Sequence, residues 1–210
     1  MKNLKIGILG AGKLGTTLAR IAEASGYSVL IANSHPVDEL KWIIDVLAPR
    51  ATVVTADELI KQSDIIILAI PMSKANQLDP ELFANKIIFD ATNYWLESDG
   101  PTSIASNHEA TSEVLQNHFK SSKLVKVFNH MGYHDLEVEI DRHPNPKRVM
   151  AFATNHQELK PMVETIISSF GLEPYDVGNL HQSIVLEPGS PLFGAALPLN
   201  KFKDTLKNLK

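Results

Sequence analysis

The stretch "KIGILGAGKLGTTLA", Lys5–Ala19, decides the fold. Leu4–Leu9 is a short apolar run that ends in glycine, which suits a buried strand. From Lys13 the period changes. Leu14, Leu18 and Ile21 recur at helical spacing, and Gly26 stops the helix. Between strand and helix, Gly10, Gly12 and Gly15 stand in G-x-G-x-x-G spacing. The string alone is weak evidence. Its position, directly after a strand and directly before a helix within a strand–helix–strand unit, makes it a dinucleotide fingerprint. Gly10 permits the tight turn, Gly12 lets the backbone approach a pyrophosphate, and Gly15 lets the helix pack close to the strand. Ala11, Lys13 and Leu14 complete the loop, whose free N–H groups then face the phosphates. The plain alternative, a glycine-rich turn with no ligand, fits this context less well.

Outward from that unit the same alternation continues. Tyr27–Ala32 reads as a second strand, followed by a helix opening at Pro36 with Leu40, Ile43, Ile44 and Leu47 on its apolar face. Ala51–Val54 is a third strand. Thr55 and Glu58 form a capping box that starts a short helix. Asp64–Ile70, apolar throughout, is a fourth strand buried on both faces. Lys86–Asp90 is a fifth. Leu124–Phe128 is a sixth, after a helix around Ser112–Phe119. Arg148–Thr154 is a seventh. "NHQE", Asn155–Glu158, reads as another capping box before a helical stripe from Leu159 to Phe170, and Leu172–Val177 is an eighth strand. The pattern predicts an α/β, Rossmann-like doubly wound fold: a mostly parallel sheet of about eight strands with helices on both faces. No linker-like composition divides residues 1–210, so a single domain is expected. Glu97–Ala110 is polar and aperiodic, suited to a lid or an interface loop. The segment 186–210 reads as irregular, with three prolines. Its tail carries Phe202, Leu206 and Leu209 at helical spacing, as a short docked helix would.

Bulk composition narrows the function. The chain has 210 residues, 44% apolar and 21% charged, with a net charge of −4, so an anionic nucleic acid is not expected as partner. It contains no cysteine, which removes disulfides, thiolate catalysis and cysteine metal sites. The N-terminal apolar run is too short for a signal peptide and is broken by glycines and Lys13; no later run approaches membrane-spanning length. A cytoplasmic protein without membrane contact is expected.

The end of the second strand indicates which dinucleotide. An NAD-binding unit places a carboxylate there, about 20 residues after the glycines, to hold the ribose hydroxyls. This chain has "IANSHP", Ile31–Pro36, with no acid; Asp38 and Glu39 lie inside the next helix. Hydroxyl, amide and imidazole donors at Asn33, Ser34 and His35 suit a 2′-phosphate, and the helix opening at Pro36 adds its positive end. NADP(H) is therefore preferred over NAD(H). Ser34 or His35 could instead simply cap the helix, a role compatible with phosphate binding. The loop has no arginine, and Lys41 is the cation nearest in sequence. Histidine gains and loses charge across physiological pH, so NADPH affinity is expected to fall as pH rises through about 7 while NADH affinity stays flat.

Together "KIGILGAGKLGTTLA", "DIIILAIP", "DATNYW" and "VKVFNHMGYHDL" resemble NADP oxidoreductases of the coenzyme F420-dependent type, in particular a bacterial NADPH-dependent reductase-like subgroup. The resemblance runs from the first strand to "LEPGSPLFGA". It implies a homodimer and hydride exchange between NADPH and a deazaflavin. It implies a Ser-Arg pair after the second strand for the 2′-phosphate: Ser34 matches the serine, and His35 stands in place of the arginine. It also implies a nicotinamide pocket at Ile70, Pro71 and Met72 and at Asp90, Ala91 and Asn93, with a small-molecule electron acceptor resting near Asn129 and the C-terminal segment.

Pro71, Asp90 and Asn129 each follow a strand and so fall on the rim where such sheets bind ligands. Asp90 reads more readily as a loop-ordering carboxylate. Asn129 and His130 are candidates for the substrate pocket. His130 and His134 share metal-pair spacing, but Gly132 lies between them and a metal site is not expected. Trp95 and Tyr94 suit either stacking on an aromatic substrate or packing. Hydride transfer to a flavin-like ring needs little acid–base help, so no catalytic acid is assigned. The expected activity is NADPH-dependent hydride transfer to a flavin- or deazaflavin-like acceptor. The alternatives are a ferric or quinone reductase using a diffusible flavin, and a non-enzymatic NADP(H) sensor.

Overall fold

The computed structural model describes residues 4–100, 109–142 and 145–209. Eight strands form one sheet in the order β3-β2-β1-β4-β5-β6-β7-β8. They are β1 (Lys5–Leu9), β2 (Ser28–Ala32), β3 (Thr52–Val53), β4 (Ile65–Leu68), β5 (Ile87–Asp90), β6 (Lys123–Val127), β7 (Val149–Thr154) and β8 (Glu173–Gly178). Every pairing is parallel except β6 with β7. The expected doubly wound α/β fold is therefore present, with the strand order reversing between β1 and β4.

Strand composition explains the layering. In β4 all four residues are apolar and buried, because helices cover both sheet faces. On one face α1 (Lys13–Ala24), α2 (Val37–Leu47), α7 (Tyr133–Arg142) and α8 (Lys160–Ser169) contribute Leu18, Leu40, Leu136 and Ile166 to a single core. On the other face α3 (Ala56–Gln62), α4 (Met72–Ala75) and α6 (Thr111–His118) contribute Leu59, Met72 and Leu115. Strand β7 shows the period-2 rule directly. Met150 and Phe152 enter the first core, while Val149, Ala151 and Ala153 enter a third cluster with Phe202 and Leu206 of α9 (Leu199–Lys207). Thus α9 docks through Phe202 and Leu206, and regular structure occupies part of a segment expected to be irregular; Leu209 stays 39% exposed.

Several expectations change. On α2 only Leu40 and Ile44 face the core. Ile43 and Leu47 are exposed beside Trp42 and Val46, because β3 is only two residues long and leaves little sheet for α2 to cover. "NHQE" is not a capping box. Thr154 Oγ1 accepts the His156 N–H (3.1 Å), the Asn155 side chain accepts the Leu180 N–H (3.0 Å), and Glu158 pairs with Lys123 (2.8 Å). The turn becomes the 3₁₀ segment Gln157–Leu159 before α8. The capping box at Thr55 and Glu58 forms as expected. Helix α7 was not legible: its acidic run lacks a broad apolar stripe, and it is held instead by buried Leu136 and by Glu137, which accepts from Thr17 (3.0 Å) and pairs with Arg20. Of the loop 97–110, Leu96–Asp99 forms the short helix α5, and 101–108 lie outside the described residues.

Candidate functional site

Strands β1 and β4 both end at the glycine turn. Gly10 has φ +117°, and its N–H donates to Ala32 O (2.8 Å), tying the turn to the end of β2. A side chain at Gly10 would meet Ala69 O at 2.2 Å, and one at Gly15 would meet Gly10 O at 2.0 Å. Neither position tolerates a Cβ without backbone movement. Gly12 is different: its Cβ would meet nothing within 4 Å. Open space therefore lies over the N-terminus of α1, where Gly12 caps the helix and no side chain caps its first N–H groups. An anionic ligand answers both features.

That space belongs to a cavity of about 780 Å³, within the usual size range of cofactor pockets. Four segments line it: the glycine turn with Gly10, Ala11 and Gly12, the β2–α2 loop with Asn33, Ser34 and His35, the start of α3 at Ala56, and the chain after β4 between Ala69 and Leu78. Ile70 and Pro71 line it as well, and so does Lys74. Among the described lining residues there is no acid. In the β2–α2 loop the Asn33 side-chain oxygen accepts the His35 N–H (2.8 Å), an Asx turn that leaves the Asn33 amide hydrogens free. The capping alternative is not what forms: the N-cap residue of α2 is Pro36, with no side-chain hydrogen bond. Glu39 approaches His35 Nδ1 at 3.9 Å from outside the lining. Lys41 is turned to Asp45 (2.7 Å).

The second half of the rim is built differently. Met72 and Ala91 are buried in the core, and Lys13 and Leu14 sit on the first turn of α1, with Lys13 5.4 Å from the Tyr133 ring centre. Asp90 is fully buried and turned inward. Its Oδ2 accepts from Lys126 Nζ (3.1 Å) and Ser112 Oγ (2.6 Å), and its Oδ1 accepts the Thr92 N–H (2.9 Å). Lys126, also fully buried, donates further to Thr92 O (2.7 Å) and Thr111 Oγ1 (3.2 Å). Asp90 thus has the bonding of the loop-ordering carboxylate that its sequence position suggested, and it fixes the chain leading to Asn93. Sequence reading missed Lys126 because a lysine in an apolar strand has no local signature of its buried partner.

Beyond β6, Phe128 adopts φ +64°, an uncommon conformation for a bulky residue, and this turns Asn129 towards Asn93. The two amides interlock: Asn93 Nδ2 donates to Asn129 O (3.0 Å), and Asn129 Nδ2 donates to Asn93 Oδ1 (3.1 Å) and Leu186 O (2.8 Å). Asn129 is 4% exposed, and its Oδ1 has no hydrogen-bond partner among the described residues. His130 does not line the cavity at the glycine turn. Its ring is fully buried, its Nε2 accepts the Ala151 N–H (2.9 Å), and its carbonyl accepts the Gly194 N–H (2.7 Å). Burial pushes its pKa down to about 4, against the raising effect of the Leu192 backbone. His134 is exposed on α7, so the two histidines share no face. Among the described residues no three His, Asp or Glu side chains gather as metal ligands do. Trp95 is 45% exposed and meets the Phe193 ring edge-on at 5.6 Å, whereas Tyr94 Oη donates to Gly100 O (2.8 Å). Asp99 accepts the N–H groups of Ser73 and Trp95, each at 2.8 Å. Burial raises its pKa, but those bonds outweigh burial and hold it below the usual carboxylate value.

A parallel sheet that reverses at a glycine turn, with a cavity opening beside that turn, defines a dinucleotide-binding fold of Rossmann type. Residues 5–94 match the family model "NADP oxidoreductase coenzyme F420-dependent". The metalloreductase STEAP3 of Rattus norvegicus is 26% identical over 180 residues, 84% of this chain and 34% of that protein; the chain thus spans about a third of its length. Among solved structures, a hypothetical protein from Sinorhizobium meliloti is 26% identical with a TM-score of 0.81, over 93% of this chain and 95% of that one. A protein from Arthrobacter sp. FB24, assigned as an F420-dependent NADP-reductase, is 19% identical with a TM-score of 0.72, over 99% and 95%, a likeness of fold. Among the described residues no helix is long and apolar enough to cross a membrane.

Proposed function

We propose that this chain transfers hydride between NADP(H) and a flavin- or deazaflavin-like acceptor. The observation that carries the reading is the acid-free cavity at the glycine turn, with Asn33, Ser34 and His35 where an NAD enzyme has a carboxylate. The residues present fit NADP(H): open space at Gly12 leaves room for a pyrophosphate, and Asn33, Ser34 and His35 line the same cavity with no acid beside them. In this reading the N–H groups of Gly12 to Gly15 hold the pyrophosphate, and Ser34, His35 and the Asn33 amide hold the 2′-phosphate. Bound there, the nicotinamide supplies the hydride. The chain's own residues bind, orient and exclude water, so no side chain needs to move a proton. On the acceptor side, half-exposed Trp95 against Phe193 offers an aromatic surface that a planar ring can cover.

The likeness to a metalloreductase favours one second reading, in which the acceptor is a diffusible flavin that passes single electrons to ferric iron. An anaerobic NADPH oxidation assay with FMN, FAD, riboflavin, coenzyme F420 and quinones tests both. Turnover with one of the ring acceptors is expected. Ferric reduction only when flavin is added would select the second reading. Tight NADPH binding without oxidation by any acceptor would overturn both and leave an NADP(H) sensor.

A further inference from the structure

We propose that Lys74 is the fixed cation that recognises the 2′-phosphate of NADP(H), a role left unfilled by the arginine-free β2–α2 loop. This rests on the NADP(H) reading above. In the sheet β2 and β4 flank β1, so the chain segments that follow them face one another across the glycine turn. Both line the same cavity, Asn33, Ser34 and His35 from one side and Lys74 from the other. Among the described lining residues Lys74 is the sole permanently charged side chain, and His35 the sole other titratable one.

Lys74 is aimed by its surroundings. Its N–H donates to Pro71 O (3.0 Å), and the flanking Met72 and Ala75 are buried. The preceding Ser73 N–H is held by Asp99 (2.8 Å). With both neighbours on this short helix turned inward or clamped, the lysine side chain is left outward on the cavity side, exposed. No ion pair engages its ammonium group among the described residues. The other nearby lysines are committed: Lys41 to Asp45, and Lys13 over the Tyr133 ring. A phosphate monoester carries between −1.5 and −2 charges at neutral pH, and a flexible ammonium is a ready point-charge partner for it. NADH lacks that phosphate, so the contact distinguishes the two cofactors rather than strengthening both.

The test is titration of NADPH and NADH into the wild-type chain and into Lys74→Met and Lys74→Arg, with thermal melting of each. The expected result is roughly a ten-fold or greater loss of NADPH affinity in Lys74→Met, NADH affinity changed by less than about two-fold, and recovery in Lys74→Arg. The difference between the two cofactors should shrink in the wild type as salt rises and be flatter in Lys74→Met. Unchanged NADPH affinity in Lys74→Met would overturn the assignment and leave the cofactor reading intact. Equal weakening of both cofactors would also overturn it, because Lys74 would then hold a group that both share. A wild-type chain that binds NADPH no better than NADH would overturn the NADP(H) reading itself, and this inference with it.

Discussion

His130 is a histidine whose ring nitrogen works as a buried acceptor. Accepting the Ala151 N–H requires an unprotonated Nε2, and burial keeps the ring neutral down to about pH 4. The unfolded chain takes up a proton at this residue as pH drops below 6.5, while the folded chain takes it up only near 4. Acid therefore favours unfolding. The contribution is whole above pH 6.5 and drains as pH falls from 6.5 towards 4, amounting to about 3 kcal/mol at full development. Urea unfolding of the wild type and of His130→Gln at pH 7.5, 6 and 5 checks this. Glutamine can still accept the N–H but does not titrate, so the variant should lose that part of the pH slope. Parallel slopes in the two proteins would place the acid sensitivity elsewhere. At the same scale, the Asp90–Lys126 pair shows why residue type alone misleads. Asp90 follows a strand on the ligand-binding rim, yet it and Lys126 satisfy one another in a site without solvent.

At the scale of elements, the glycine turn separates folding from binding. Gly15 lets α1 lie against β1 with Gly10 O only 2.0 Å from where a Cβ would stand, and the atom it meets is backbone. Gly15→Ala should cost on the order of 2–4 kcal/mol, because the helix must move away from the strand. Gly12 has φ −77°, accessible to alanine, and its Cβ would meet nothing within 4 Å. Gly12→Ala should melt within about 3 °C of wild type while losing roughly ten-fold or more in NADPH affinity, since the methyl occupies the pyrophosphate's space. Calorimetry and cofactor titration on the two variants read the two effects separately. Equal loss of stability in both would show that Gly12 is also needed for packing.

At the scale of the whole molecule, the sheet depends on α9 for its last covered face. Phe202 is fully buried, 5.1 Å from the Tyr175 ring and 6.1 Å from the His130 ring, beneath β7 and β8. Phe202→Ala should destabilise the chain by about 3–5 kcal/mol, measured by denaturant midpoint, because the cavity opens in a packed core. Its effect should couple to that of His130, since the two rings are in contact range. An effect below about 1 kcal/mol would mean that α9 docks without closing the core.

The local code determined much of this protein. Strands, glycine turn and the 3.6-residue stripes of α1 and α8 follow from patterns within a few residues, and the acid-free β2 end follows from which side chains are absent at one spacing. Packing decided the rest. Ile43 and Leu47 obey a helical period yet stay exposed, because how far a stripe is buried depends on the sheet beneath it. Helix α7 forms without a broad stripe because Leu136 and Glu137 find partners on α1 and in the core. Asp90 became structural through Lys126, 36 residues away, and Lys74 joined the cavity through the adjacency of β2 and β4 to β1. Periodicity is a property of neighbours along the chain; charge pairing and cavity membership are properties of neighbours in space, which only the tertiary structure assembles.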